Sequence, residues 1–130
     1  MIRIRTVITD FCTSLRLPSP IWDSEQHLII NARQGDMRDD LLTEIIAASG
    51  ALRFTGASTI ETVRDRSAHE PNGVVLIEQI CGSARSPYRY LSEFPGRLVV
   101  IVGSRLRQRY GASYVDLSYP KQDSAAIRRL

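Results

Sequence analysis

Short apolar runs alternate with amphipathic segments along most of the chain, and this alternation constrains the fold more than any other feature. The runs LIIN (28–31), GVVLIEQI (73–80) and RLVVIVGS (97–104) are continuous and mostly aliphatic, as in strands that are covered on both faces. ALRFTG (51–56) and YVDLSY (114–119) alternate and complete a set of five predicted strands. A β-sandwich is excluded, because the intervening segments carry helical spacing and no hairpin signals.

Capping signals support helices between these strands. Residues 35–50 carry acids near their start and end at Gly50, which suits the helix dipole and a left-handed C-cap. Ser58 or Thr59 is expected to cap a helix over 60–69. Further helices are predicted after Ser86-Pro87, over SRLRQRYG (104–111) and over DSAAIRRL (123–130).

Strands separated by helices predict right-handed crossovers and a parallel sheet. The fold class is therefore α/β, with a doubly wound, mainly parallel five-stranded sheet over residues 28–130. Residues 1–27 are predicted to add an N-terminal strand or arm, because IRIRTVITDF begins with alternating apolar and basic residues. An edge strand, a packed arm and a dimerisation element remain open for this segment.

Length and composition indicate one domain, and the cytoplasm is its expected location. The chain has 130 residues, and its net charge of +3 comes from 17 basic and 14 acidic residues. Cys12 and Cys81 lack metal-ligand spacing and are expected to be reduced thiols. No signal peptide is recognised, and the longest apolar runs are too short to cross a bilayer, so no membrane partner is expected.

Three segments together resemble the receiver domains of bacterial response regulators. They are LIINARQGDMRDDLLTEII (28–46), GASTIETVRDRSAHEPNGVVLIEQ (56–79) and GASYVDLSYP (111–120). The resemblance implies a flavodoxin-like fold whose site lies at the carboxyl ends of the strands. It also implies a Mg²⁺-binding acid pair, a phosphoryl-accepting aspartate, a Ser or Thr, and a lysine.

This chain departs from the receiver pattern at the metal and acceptor positions. The acid pair aligns with Ala32 and Arg33, which cannot bind Mg²⁺, and the acceptor aligns with Glu78. We therefore expect no metal, no cofactor and no catalytic residue. Our hypothesis is that Glu78 and Arg33 form an ion pair that replaces the metal–phosphoaspartate cluster.

The remaining receiver positions are also altered. The Ser/Thr position aligns with Gly103 or Ser104, and the lysine position with Ser118 or Tyr119, whereas the only lysine is Lys121. The expected degenerate receiver site therefore comprises Ala32, Arg33, Glu78, Gly103, Ser104 and Tyr119.

An arginine- and tyrosine-rich segment is the candidate partner surface. In the receiver resemblance it corresponds to the fourth helix and the last strand, which form the usual docking face. Arginine and tyrosine are common at the centres of interfaces. The predicted partner-binding residues are Arg105, Arg107, Arg109, Tyr110, Tyr114 and Tyr119.

We therefore expect a phosphorylation-independent signalling module, not an enzyme, that acts through a protein partner, an attached output domain or a homodimer. One alternative is a small metal-dependent phosphotransfer hydrolase that uses Asp10 and Glu78. Another is nucleic-acid binding by the arginine face, which the modest net charge does not favour. His27 and His69 lack ligand partners at metal spacing, which argues against a zinc site.

Overall fold

The computed structural model describes residues 2–22, 26–33, 35, 37–70, 73–79, 86–109 and 111–117. Its helices are α1 (Ile2–Ser14), α2 (Arg38–Ser49), α3 (Ile60–His69) and a short 3₁₀ helix (Pro87–Leu91). Its strands are β1 (His27–Asn31), β2 (Leu52–Phe54), β3 (Val75–Glu78), β4 (Val99–Gly103) and β5 (Ser113–Asp116).

The five strands form one parallel sheet in the order β2-β3-β4-β1-β5. This confirms the predicted doubly wound α/β architecture. The order differs from the 2-1-3-4-5 order of flavodoxin-like sheets, in which β1 neighbours β3. Here β4 lies between β1 and β3. Because neighbouring strands are about 4.8 Å apart, the ends of β1 and β3 are separated by about 10 Å.

The two faces of the sheet pack against different elements. Leu28, Ile30, Val100 and Val102 share one hydrophobic cluster with residues of α1 and α2. Their alternating neighbours, including Ile29, Val99 and Ile101, pack on the other face with residues of α3 and the 3₁₀ helix. Burial on both faces explains why the strand sequences are continuous apolar runs.

The first segment is a helix, so the prediction of an N-terminal strand was wrong. The alternation of apolar and basic residues extends over only the first few positions of IRIRTVITDF. Ile4, Ile8 and Cys12 instead repeat at helical spacing, and all three are buried against α2 and the sheet. Residues 2–14 therefore belong to the same core as the strands.

The other helix predictions have mixed outcomes. Thr59 caps α3 by accepting a hydrogen bond from the Thr62 amide at 3.2 Å, and Gly50 ends α2 with φ 62°. The segment after Ser86 is only a single 3₁₀ helix. The helix predicted over 104–111 is absent, since the described residues 104–109 form a loop. The helix predicted over 123–130 lies outside the described residues.

Ile8→Ala tests whether α1 is a core element. Ile8 has no exposed surface, so we expect the free energy of unfolding to fall by about 2–5 kcal/mol in a chemical denaturation series. Asp10→Ala, on the exposed side of the same helix, is the control and should change it by less than about 0.5 kcal/mol. Equal effects of the two changes would contradict the packing of α1 on the core.

Candidate functional site at the carboxyl ends of the strands

The candidate site lies where β1, β4 and β5 end side by side. Asn31 pairs in register with Gly103 on one side and with Asp116 on the other. The chain leaves β1 toward α2 on one face, whereas it leaves β4 toward the opposite face, where Leu106 is buried. This divergence is the topological switch point at which doubly wound sheets bind ligands.

The side-chain amide of Asn31 links three parts of this region. Its Oδ1 accepts a hydrogen bond from the Leu106 amide at 3.2 Å, and its Nδ2 donates to Asp116 Oδ1 at 3.3 Å. Asn31 is 9% exposed, so its amide groups are largely removed from water. A polar residue at the end of the apolar run LIIN is the sequence signal for this role.

Two tyrosines hold the loop 104–109 from its other sides. The Tyr114 hydroxyl donates to the Leu106 carbonyl at 3.0 Å. The Tyr88 hydroxyl donates to the Arg107 carbonyl at 3.1 Å and lies 2.5 Å from the Arg107 amide. These side chains satisfy backbone groups that a helix would pair internally, which explains why the loop replaces the predicted helix.

The protonated form of Tyr114 is favoured at this position. Burial raises the pKa of the Tyr114 phenol, and the charge of Asp116 raises it further. The hydroxyl therefore stays protonated at neutral pH and remains the donor to the Leu106 carbonyl.

The loop presents arginines in a fixed backbone conformation. Arg105 has φ 62°, a left-handed conformation that is uncommon for a residue with a side chain. Arg105, Arg107 and Arg109 are exposed, and Leu106 between them is buried. Tyr114 is only partly exposed, and its hydroxyl holds the loop that carries these arginines. Tyr114 therefore supports the surface from beneath. Tyr110 and Tyr119, which were also predicted to bind a partner, lie outside the described residues.

Glu78 is the centre of a buried ion cluster. It ends β3, is 3% exposed, and its Oε2 lies 3.9 Å from the Arg38 guanidinium at the start of α2. Its Oε1 makes a close ion pair with Nε of Arg53 on β2. Arg33 is exposed, and its predicted ion pair with Glu78 is not formed, so that hypothesis was wrong.

The strand order explains why Arg38 replaces Arg33 in this pair. Arg33 directly follows β1, which β4 separates from β3. Arg38, five residues later, lies in the first turn of α2 and approaches Glu78 at the end of β3. Sequence reasoning missed both Arg38 and Arg53. The sequence signal that could have indicated Arg38 is its position directly before Asp39 and Asp40 in the first turn of α2.

The structure places the other predicted receiver positions at the ends of β1 and β4. Ala32 is buried, and its amide donates to the Gly103 carbonyl at 2.7 Å. A Cβ on Gly103 would lie 3.1 Å from Gln79 Cβ, so a serine side chain there would crowd its neighbour. Ser104 is partly exposed at the start of the arginine-bearing loop.

The connection from β1 to α2 has the spacing of a phosphate-binding loop without its key residues. Such loops join a strand to a helix with the pattern G-x-x-x-x-G-K-[ST]. Ala32 and Met37 stand at the glycine positions, Arg38 at the lysine and Asp39 at the Ser/Thr. Met37 adds a side chain where the loop backbone must approach phosphate, and Asp39 adds negative charge. Arg38 is already bound to Glu78.

The structure does not bring Asp10 and Glu78 into one site. Asp10 is exposed on α1, whereas Glu78 is buried at the end of β3 and paired with arginines. Asp10 therefore does not end a strand, as the hydrolase alternative requires. Among the described residues, no group of three or more His, Cys, Asp or Glu side chains could hold a metal ion.

Comparisons with known proteins find no matching family model, no matching curated protein and no matching solved structure. In the described part of the chain, no helix combines the length and the apolar character needed to cross a membrane. The geometry of this site is therefore the basis of the functional proposal.

Glu78→Ala tests the ion cluster. It would leave the buried Arg38 with only Asp39, 3.4 Å from its Nε, as an acidic partner, so we expect a loss of about 3 kcal/mol in the free energy of unfolding. The double variant Arg38→Met/Glu78→Leu should recover most of this loss, because it removes both charges. Glu93→Ala, which breaks the exposed pair with Arg64, is the control and should cost less than about 1 kcal/mol. A Glu78→Ala loss no larger than that of the control would contradict the cluster.

Proposed function

We propose that this chain is a phosphorylation-independent regulatory module that acts by binding a protein and catalyses no reaction. The observation that carries the proposal is the ion cluster of the buried Glu78 and Arg38 with the half-exposed Arg53 at the carboxyl ends of the strands. A doubly wound sheet normally uses this end for chemistry. Here its buried acid is neutralised by two guanidinium groups.

The charge arrangement argues against transfer of a phosphoryl group to Glu78. Transfer to Glu78 requires a phosphoryl donor to reach one of its oxygens, but Glu78 is 3% exposed and both oxygens lie within 3.9 Å of arginine nitrogens. The receiver-like acid pair is replaced by Ala32 and Arg33, so neither position supplies a carboxylate for Mg²⁺. The module is therefore proposed to hold one conformation that does not depend on phosphorylation.

The loop 104–109 is the proposed docking element. Its backbone is fixed by Asn31, Tyr88 and Tyr114, while the side chains of Arg105 and Arg107 are exposed. Fixing the backbone before binding lowers the entropy lost on association. Exposed guanidinium groups on a rigid loop favour a partner with carboxylates on its surface.

The chain itself carries an acidic surface that fits this requirement. A groove of about 560 Å³ between α1 and α2 is lined by Asp10, Asp40 and Glu44, with Val7 and Phe11 among its apolar walls. None of the described residues that line it is basic. We propose a second copy as the partner, with the loop of one copy in the groove of the next. An attached output domain with a similar acidic surface would bind the same loop.

The buried free thiol of Cys12 is compatible with the cytoplasmic location that we propose.

Self-association tests this docking mode. The double change Arg105→Glu/Arg107→Glu should weaken association at least tenfold in sedimentation velocity at low salt, because it places acids against acids. Combining it with Asp40→Arg/Glu44→Arg should restore association, since the charges are exchanged across the interface. The control Arg16→Glu changes an exposed charge elsewhere and should have little effect. A protein that stays monomeric at all concentrations would exclude the second copy as partner, and tighter binding to DNA than to itself would favour the nucleic-acid alternative.

The absence of phosphotransfer chemistry is tested by an amide NMR titration with Mg²⁺ and beryllofluoride, which mimics an acyl phosphate. We expect no saturable shifts at residues 32–33, 78 and 103–104, because no carboxylate there is free. Saturable shifts at these residues would contradict the proposal.

A further inference from the structure

A second cavity lies on the face of the sheet opposite α1 and α2. It has a volume of about 490 Å³ and is lined by the 3₁₀ helix, the start of β1 and the end of the arginine-bearing loop. Its polar lining consists of His27, Arg89, Arg109, Tyr88, Ser86 and Ser92. This volume is within the range of small-molecule sites.

The charged side chains among the described lining residues, Arg89 and Arg109, are both basic. Two guanidinium groups and an imidazole are accompanied by hydroxyl groups, and none of the described residues that line the cavity carries a carboxylate. Glu93, the nearest acid along the chain, is held by two nitrogens of Arg64, with its shortest contact at 2.8 Å. Arg89 and Arg109 are therefore not neutralised by an acid in the cavity wall.

Arg109 is held in place by an aromatic ring. Its guanidinium carbon lies 4.7 Å from the centre of the Tyr88 ring. The Tyr88 hydroxyl is itself bound to the Arg107 backbone, so the ring does not turn freely. Stacking uses the face of a guanidinium and leaves its N–H edge available for an anion. Arg109 therefore differs from Arg105 and Arg107, which have no comparable stacking contact among the described residues.

We propose that this cavity binds the phosphate group of a small organic phosphate. Arginine forms paired, charge-assisted hydrogen bonds with phosphate, and two arginines with hydroxyl groups around them match its oxygens. Leu91, which also lines the cavity, offers an apolar contact to the organic part of the ligand. This site is separate from the ion cluster of Glu78, and the proposal does not depend on the docking function.

Isothermal titration calorimetry and amide NMR on the full chain test this proposal, with AMP, adenosine and inorganic phosphate as probes at constant ionic strength. We expect saturable binding of AMP, weaker binding of inorganic phosphate and none of adenosine. Equal affinity for AMP and inorganic phosphate would identify the free anion as the ligand with the same phosphate chemistry. No saturable binding of either phosphate at millimolar concentration would overturn the proposal.

Matched variants locate the binding site. Arg89→Gln and Arg109→Gln should each weaken binding of the phosphate probes by about tenfold or more, since each removes a charge-assisted hydrogen bond. Arg109→Lys should restore only part of the affinity, because it keeps the charge but loses the planar fork. Arg16→Gln, an exposed arginine after α1 and outside the cavity, should bind as the unchanged protein does. An equal loss in Arg16→Gln would show nonspecific attraction and overturn the site. All these arginines are exposed, and the NMR spectra report whether the variants stay folded.

Discussion

The position of β1 between β4 and β5 is the constraint on which the rest of the structure depends. It places Asn31 in register with both Gly103 and Asp116, so one side-chain amide reaches the loop after β4 and the end of β5. The same order separates β1 from β3 and leaves Glu78 to residues of α2 and β2. The conformation of the loop 104–109 and the ion cluster are thus two consequences of one strand order.

The architecture was predictable from the sequence because burial leaves a local signature. Continuous apolar runs mark strands that are covered on both faces, and all five predicted strands are present. The strand order was not predictable in the same way, because the apolar pattern of β1 is the same beside β3 or beside β4. The first helix was missed because a short alternation of isoleucine and arginine obscured the longer repeat of Ile4, Ile8 and Cys12.

The candidate site was predicted only in part, because the sequence shows local patterns but does not show which distant residues become neighbours. Glu78 ends a buried strand and is visible in the sequence as an acid after an apolar run. Its partners are not visible, since the choice among Arg33, Arg38 and Arg53 depends on which strands are neighbours. The loop after β4 was mispredicted as a helix because its backbone partners, Asn31 and Tyr88, are distant in sequence.

The arginines show why composition alone says little about the function of this chain. Arg38 is buried and bound to Glu78, so its charge stabilises the fold and is not available to a partner. Arg109 is stacked on Tyr88 at the edge of a cavity whose described lining residues include no acid, a position suited to a small anion. Arg105 and Arg107 extend from a fixed loop into solvent, which suits a macromolecular surface. The net charge of +3 includes arginines from all of these environments, and each environment favours a different kind of contact.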